Sequence, residues 1–376
     1  VQSPKVRQRL LTTLSRAYSS LGLYADGRSM AEKALASLPI SGAESLEDAD
    51  ALVAFSAAAG QKDQFAKAAE AASRAIAIQT RLLGQNHPKV AESTLALSTV
   101  HMKMDRFDDA LDLARNALAI RRQSLGAQHV QTGSTLRAIG GIYIRRGKPG
   151  DTKLALDHHQ QSLAILAAHL GKDHPEYASN LDDIGICMAK PADALPYYQE
   201  ALAIRQRVLG PDHVHTSFSH YNLGRALLRL GKLDEARRHL ETALAVRKAK
   251  LGASSTLTGD VTRSLAMLET GTGNLKAAFA LFEQALAISS ASYGPDHSVT
   301  LLDRSNFGII LAAMKRFDEA LPHLRAGLRA KVYFRWQDKH FDPVRKDPRY
   351  LALVAEQERI KATGRQEGRF QYTAPK

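Results

Sequence analysis

The chain has a single cysteine, Cys187, in 376 residues. That excludes an internal disulfide framework and any zinc or iron–sulfur site built from cysteines. Aromatic residues make up only 6%, with one tryptophan, Trp336. Single-stranded nucleic acid is usually held on aromatic platforms interleaved with cations, and such a pattern is missing here. No apolar run reaches the ~18 residues that a membrane span needs. No signal-peptide pattern opens the sequence, which begins at Val1. A cytoplasmic location and a longer parent protein are therefore expectations.

What is present is globular. Apolar residues make up 44% and charged residues 24%. There are 51 Lys and Arg against 38 Asp and Glu, a formal charge of +13. The last 46 residues carry eleven cations and six acids, a net of +5, so the first 330 carry +8, mild and spread out. Nucleic-acid binders concentrate their charge on one face. This distribution points instead to acidic protein partners.

The sequence repeats. Leu83-Gly84, Leu125-Gly126, Leu170-Gly171, Leu209-Gly210, Leu251-Gly252 and Tyr293-Gly294 recur at glycine steps of 42, 45, 39, 42 and 42 residues. An insertion around residues 147–151 accounts for the long step and a deletion around 189–192 for the short one. Nine residues before each glycine begins a second column, as in Ala117-Leu118-Ala119-Ile120 and Ala201-Leu202-Ala203-Ile204. Seven residues earlier lies a third: Ala68, Ala110, Ala155, Ala194, Ala236 and Ala278, extended by Gly27 and Ala320. Three columns in phase define eight units.

Each unit reads as two helices. In residues 88–126, Val90, Leu95, Leu97, Val100, Met102 and Met104 make an apolar first helix. Asp105-Arg106 turn the chain. Phe107, Ala110, Leu111, Ala114, Leu118 and Ile120 then follow the helical period. Gly126 stands where a helix would end in the left-handed conformation, and His87-Pro88 and His174-Pro175 mark helix starts. A single hairpin cannot bury its apolar faces, whereas stacked hairpins cover one another. The predicted fold is an all-α, right-handed α-solenoid of about eight helix-turn-helix repeats over residues 1–330, closed by a tail, 331–376, with one short helix.

These columns, with Leu223-Gly224, Ile139-Gly140, Ile184-Gly185 and Phe307-Gly308 in mid first helix, resemble the tetratricopeptide repeat. The 42-residue period and the stretch 201–213 are similar to kinesin light chain repeats and to a large bacterial group. Residues 6–24 and 341–353 resemble segments of bacterial serine/threonine protein kinases that carry such an array after the kinase domain. The resemblance implies a protein-binding module or sensor region of a bacterial signalling protein. It also implies that first-helix positions two before, and two or six after, the mid-helix leucine line a concave groove. Here those are Lys103, Arg137, Arg145, Arg225, Arg229 and Arg263, and Asn222 and Asn306 match positions that hold a ligand backbone. Arginine suits an acidic peptide because its fork grips a carboxylate in two places.

The chain itself shows no Gly-rich phosphate loop, no His-Arg-Asp catalytic loop and no Asp-Phe-Gly, so no catalytic residues are expected. No cofactor is expected and no metal. His87, His129, His174, His213 and His297 recur one per unit, and stacked helices about 8–10 Å apart keep equivalent side chains from converging on one ion. They read as partners of backbone groups in the inter-repeat turns. Cys187 reads as a buried, inert thiol, and Tyr333, Phe334 and Trp336 as a plug for the last repeat. Arg121, Arg122, Arg205, Arg207, Arg247, Lys248 and Lys250 near second-helix ends read as complements of the helix dipole. The function expected is capture of a peptide or acidic segment in the groove. Two alternatives remain: a self-associating scaffold using the convex face and tail, and, third, nucleic-acid binding. Partner identity and oligomeric state are open at this stage.

Overall fold

A computed structural model describes residues 4–38, 44–58, 62–329 and 339–363. Among these there is no strand, and the chain is an all-α solenoid of helical repeats. Sixteen helices follow one another as hairpins: α1 Pro4–Ser20, α2 Tyr24–Ala36, α3 Leu46–Ala58, α4 Lys62–Leu83, α5 Pro88–Lys103, α6 Phe107–Leu125, α7 Val130–Arg146, α8 Asp151–Leu170, α9 Pro175–Cys187, α10 Pro191–Leu209, α11 Val214–Arg229, α12 Leu233–Leu251, α13 Thr256–Gly271, α14 Leu275–Tyr293, α15 Ser298–Ala313 and α16 Phe317–Arg329. A short 3-10 helix, Lys339–Val344, and α17, Pro348–Thr363, come after them. The residues form two compact units, Val1–Ala189 with Pro196–Thr216, and Lys190–Leu195 with Ser217–Lys376.

The core is distributed along the stack because each hairpin is shielded by its neighbours. In the first unit, Ala31, Leu52, Phe55, Ala75 and Ile78 form one buried cluster, and Phe107, Leu111, Leu136, Ile139, Ile165 and Cys187 form another. In the second, Phe282, Ile310, Leu311, Leu324 and Leu328 are joined by Phe341, Val344, Tyr350 and Leu353 from the 3-10 helix and α17. The expected aromatic plug, Tyr333, Phe334 and Trp336, lies outside the described residues.

The mid-helix glycines set the spacing within the hairpins that carry them. A Cβ on Gly185 would stand 2.5 Å from the Tyr198 ring, and one on Gly140 would stand 2.6 Å from the buried His159 ring. At Gly224 the obstacle is Leu240 Cγ at 2.8 Å. Beside Gly140, Gly141 faces open space. Replacing Gly185 with alanine is therefore expected to destabilise the first unit by about 1–3 kcal/mol through overpacking. Gly141→Ala should be neutral or stabilise by up to about 1 kcal/mol, because alanine is the better helix former. Urea midpoints of the two variants check the contrast.

The inter-repeat glycines depart from expectation. Gly126, Gly171, Gly252 and Gly294 have φ of 96°, 79°, 85° and 82° but ψ of 159°, 164°, 162° and 171°. That is not the left-handed helical region. It is an extended, positive-φ region essentially confined to glycine, and it swings the chain out of one hairpin toward the next. Three residues later the histidines cap the following helix. Nδ1 of His87, His129, His174, His213 and His297 accepts from the backbone N–H two residues on, at 3.1–3.3 Å. The histidines thus satisfy helix-end donors, as the sequence indicates. Truncating His129 to alanine should cost about 1 kcal/mol of stability by thermal melt, and asparagine should restore most of it.

Candidate functional site on the first helices

In the first unit, α5 and α7 carry Lys103, Arg137 and Arg145. Lys103, half-buried at the end of α5, has its ammonium held below the usual lysine range by burial and by the Arg28 charge. Arg137 donates through Nε to Oδ2 of Asp183 on α9 at 2.6 Å. Arg145 lies 3.7 Å from Oδ1 of Asp105, at the turn of the preceding hairpin. The first helices are thus already tied by charge. Lys89 of α5 holds Asp50 of α3 at 2.9 Å, and Ser134 of α7 donates to Glu176 of α9 at 3.1 Å. The α1–α2 turn reaches the start of α11 within the same unit. Tyr24 Oη stands 3.3 Å from His215 Nε2, and a Cβ on Gly22 would meet Val214 Cβ at 2.7 Å. Burial, Arg205, His213 and Arg137 together push His215 down to about 4.

In the second unit, α11 presents Asn222, Arg225 and Arg229. Steps of three and four residues place all three on one side of the helix. Both arginines are exposed and Asn222 is half-buried. The Arg225 guanidinium lies 5.4 Å over the Tyr221 ring, where the ring quadrupole attracts a cation. Arg263 of α13 differs. It donates through Nη2 to Asp303 Oδ2 of α15 at 3.0 Å, through Nε to the other oxygen of that carboxylate, and through Nη1 to Asp260 at 2.8 Å. Asn306 is buried, with no hydrogen-bond partner for Oδ1. The eight predicted positions therefore differ in kind: Arg137 and Arg263 are held by carboxylates of the next first helix, Arg145, Arg225 and Arg229 are exposed, Lys103 and Asn222 are half-buried, and Asn306 is internal.

Reading the second-helix cations as dipole complements fails for three of them. Arg121, Arg205 and Arg247 are buried. Arg121 Nη1 donates to Thr135 Oγ1 at 2.6 Å and to the Gln131 carbonyl at 3.0 Å. Arg205 pairs with buried Asp182 and reaches Ser179 Oγ at 2.8 Å. Arg247 bonds Ser217 Oγ at 3.1 Å and the Leu257 carbonyl at 2.6 Å, under the rings of Phe218 and Tyr221. These side chains brace first helices from behind. Gln79, Arg121, Arg205 and Arg247 each stand five residues before a repeat glycine, and that phasing was the available signal. Burial also raises the Cys187 thiol to about 12, with Asp183 adding to the shift, so it is inert as expected. His159 is fully buried and His158 half-buried. His220 Nδ1 lies 2.9 Å from His239 Nδ1.

No helix of the described residues is long and apolar enough to cross a membrane. No curated protein matches the chain significantly. Among solved structures, a Rap protein complexed with competence and sporulation factor is similar at 13% identity and a TM-score of 0.62, over 96% of this chain and 97% of that one. The apo form of the quorum sensor NprR from B. thuringiensis is similar at 12% identity and a TM-score of 0.56, over 88% and 89%. A kinesin light chain protein with nearly identical TPR-like repeats from Podosopora anserina is 22% identical over 53% of this chain and 93% of that one, with a TM-score of 0.43. At such identities the likeness is one of fold. A sequence model of the tetratricopeptide repeat matches residues 89–151, 188–249 and 257–331, over half of the chain. The stacked hairpins, their phased glycines and this match agree: the chain belongs to the tetratricopeptide repeat family.

Proposed function

We propose that the first-helix face holds an extended acidic segment of a protein or peptide partner, and that Arg225 and Arg229 supply the grip. The observation that supports this reading is the exposure of both guanidiniums on one side of α11. Arg225 and Arg229 are exposed one turn apart, with Asn222 on the same side to meet a peptide backbone. In the first unit, Lys103 beside Arg28 is a second place where an anion relieves like-charge repulsion. Asn306 is internal and is given no ligand contact. A Rap protein of this fold was solved with competence and sporulation factor, which supports a protein or peptide as the ligand class.

The test is Arg225→Glu with Arg229→Glu, leaving Arg263 in place, against a pool of Asp- and Glu-rich peptides followed by fluorescence anisotropy. A loss of about tenfold or more is expected, along with weakening at high salt. Unchanged capture removes this reading. The wider setting we propose, from the resemblance of residues 6–24 and 341–353, is the sensor region of a bacterial serine/threonine kinase or a similar regulator. The gene sequence upstream of Val1 decides it.

A further inference from the structure

The first unit closes on itself. Its α1–α2 turn meets the start of α11, where Tyr24 Oη stands 3.3 Å from His215 Nε2 across 191 residues of chain. Gly22 is buried at φ 78°, and a Cβ on it would stand 2.7 Å from Val214 Cβ. Val214 is 1% exposed, so the two turns are in close apolar contact as well as polar contact. A solenoid is held by the stacking of successive hairpins. This contact is not part of that stacking, because it joins the first hairpin to the opening turn of the sixth. It can part while every hairpin keeps its neighbours, which makes it a local opening rather than an unfolding.

The groups around His215 give the contact a chemical control. Helix α2 brings Tyr24 to it, α7 brings Arg137, α10 brings Arg205, and its own turn brings His213. The carboxylates nearest these arginines are already engaged: Asp183 holds Arg137 and Asp182 holds Arg205. His213 Nδ1 accepts from the His215 N–H at 3.1 Å, a role it loses on protonation. Burial and the surrounding cations hold His215 down to about 4 while the turns are in contact. A histidine facing water titrates near 6.5. The parted form therefore takes up the proton more readily, and the closed form is favoured above about pH 6.5 and loses that advantage as pH falls toward 4.

We propose that the contact of Gly22 and Tyr24 with Val214 and His215 is a latch, which holds the first unit closed at neutral pH and parts in acid while the hairpins stay stacked. Parting frees the two ends of the unit from one another. The hairpins between them can then change curvature, and with it the face they offer a partner. The latch does not depend on the grip by Arg225 and Arg229, which belongs to the second unit.

The test uses the full chain with Cys187→Ala, so that spin labels attach only at Ala25→Cys and Pro211→Cys, two exposed, uncharged positions beside the contact. Electron–electron distance measurement at pH 7.5 should give one short distance. At pH 4.5 a longer distance should join it, with the ratio of long to short raised about tenfold or more and far-UV circular dichroism unchanged. His215→Gln keeps a polar partner for Tyr24 without the titration, and should hold the short distance at both pH values. His220→Gln should leave the acid opening in place, since His220 lies in the second unit. A long distance that dominates at pH 7.5 would overturn the proposal, as would a single short distance at pH 4.5. So would a long distance that grows equally in His215→Gln, or one that appears only in step with loss of helix.

Discussion

Replacing Asp303 by alanine is expected to destabilise the second unit by about 3–5 kcal/mol, a typical cost of removing one partner from a buried ion pair. Asp303 is fully buried and takes both of its bonds from Arg263, whose side chain is 13% exposed. Its loss leaves that guanidinium with Asp260 alone. Neither ion can regain water while the hairpins stay stacked, so the unit must open or carry the uncompensated charge. Arg263→Ala should be comparably damaging because it strands the carboxylate. The double change Arg263→Met and Asp303→Leu should recover most of the loss, since apolar pairs of similar volume replace buried ion pairs at little cost. Urea denaturation followed by circular dichroism separates the three variants. An Asp303→Ala shift below about 1 kcal/mol would show that the pair is solvated. The same geometry bars Arg263→Glu from any binding experiment, because it would set an acid against a buried acid.

Acid should weaken the array well above the range in which carboxylates titrate. His220 is nearly buried, and burial together with His239 pushes it down to about 4. Burial and Arg238 lower His239 as well, opposed by Glu235. A histidine whose folded value lies below its unfolded value of about 6.5 stabilises the fold above that pH. The contribution is lost as pH falls from about 6.5 toward 4, because the unfolded chain then takes up the proton more readily. For His220 the loss amounts to roughly 2–3 kcal/mol. His215 is shifted in the same direction and should add to it. Unfolding midpoints at pH 7.5 and 4.5 measure the effect, and His220→Gln should flatten the difference. An unchanged pH profile in that variant would refute the assignment.

The fold was legible because its determinants are periodic. The alanine, leucine and glycine columns record close approach and chain reversal once per unit, and each fell where the helices require it. The histidine caps were legible for the same reason. The electrostatics were less so. Arg137 and Arg225 look alike in sequence, yet one is held by Asp183 and the other is exposed. What holds Arg137 is an acid 46 residues away on a neighbouring helix, and helical periodicity says nothing about partners at that distance. Arg121, Arg205 and Arg247 misled for a different reason. A cation near a helix end satisfies the dipole argument whether it points out or in, and only their shared phase with Gln79 betrayed a packing role. The glycine conformation was half legible: a positive φ follows from the residue type, while ψ near 160° depends on where the next hairpin starts.

The internal braces come in two forms, and the difference bears on how such a chain could lengthen or shorten by gene duplication. Arg205 finds its counter-charge, Asp182, inside its own hairpin, so a copied segment carrying both would bring this brace complete. Arg121 reaches forward to Thr135 across the junction, and a copy of it would depend on a hydroxyl in whatever segment came next. Excision of residues 85–126 would bring Gln79 opposite Thr135, a neutral amide facing a neutral hydroxyl. A block of 42 residues can therefore be lost at that boundary without stranding a buried arginine of the brace column, which makes it a natural seam for recombination.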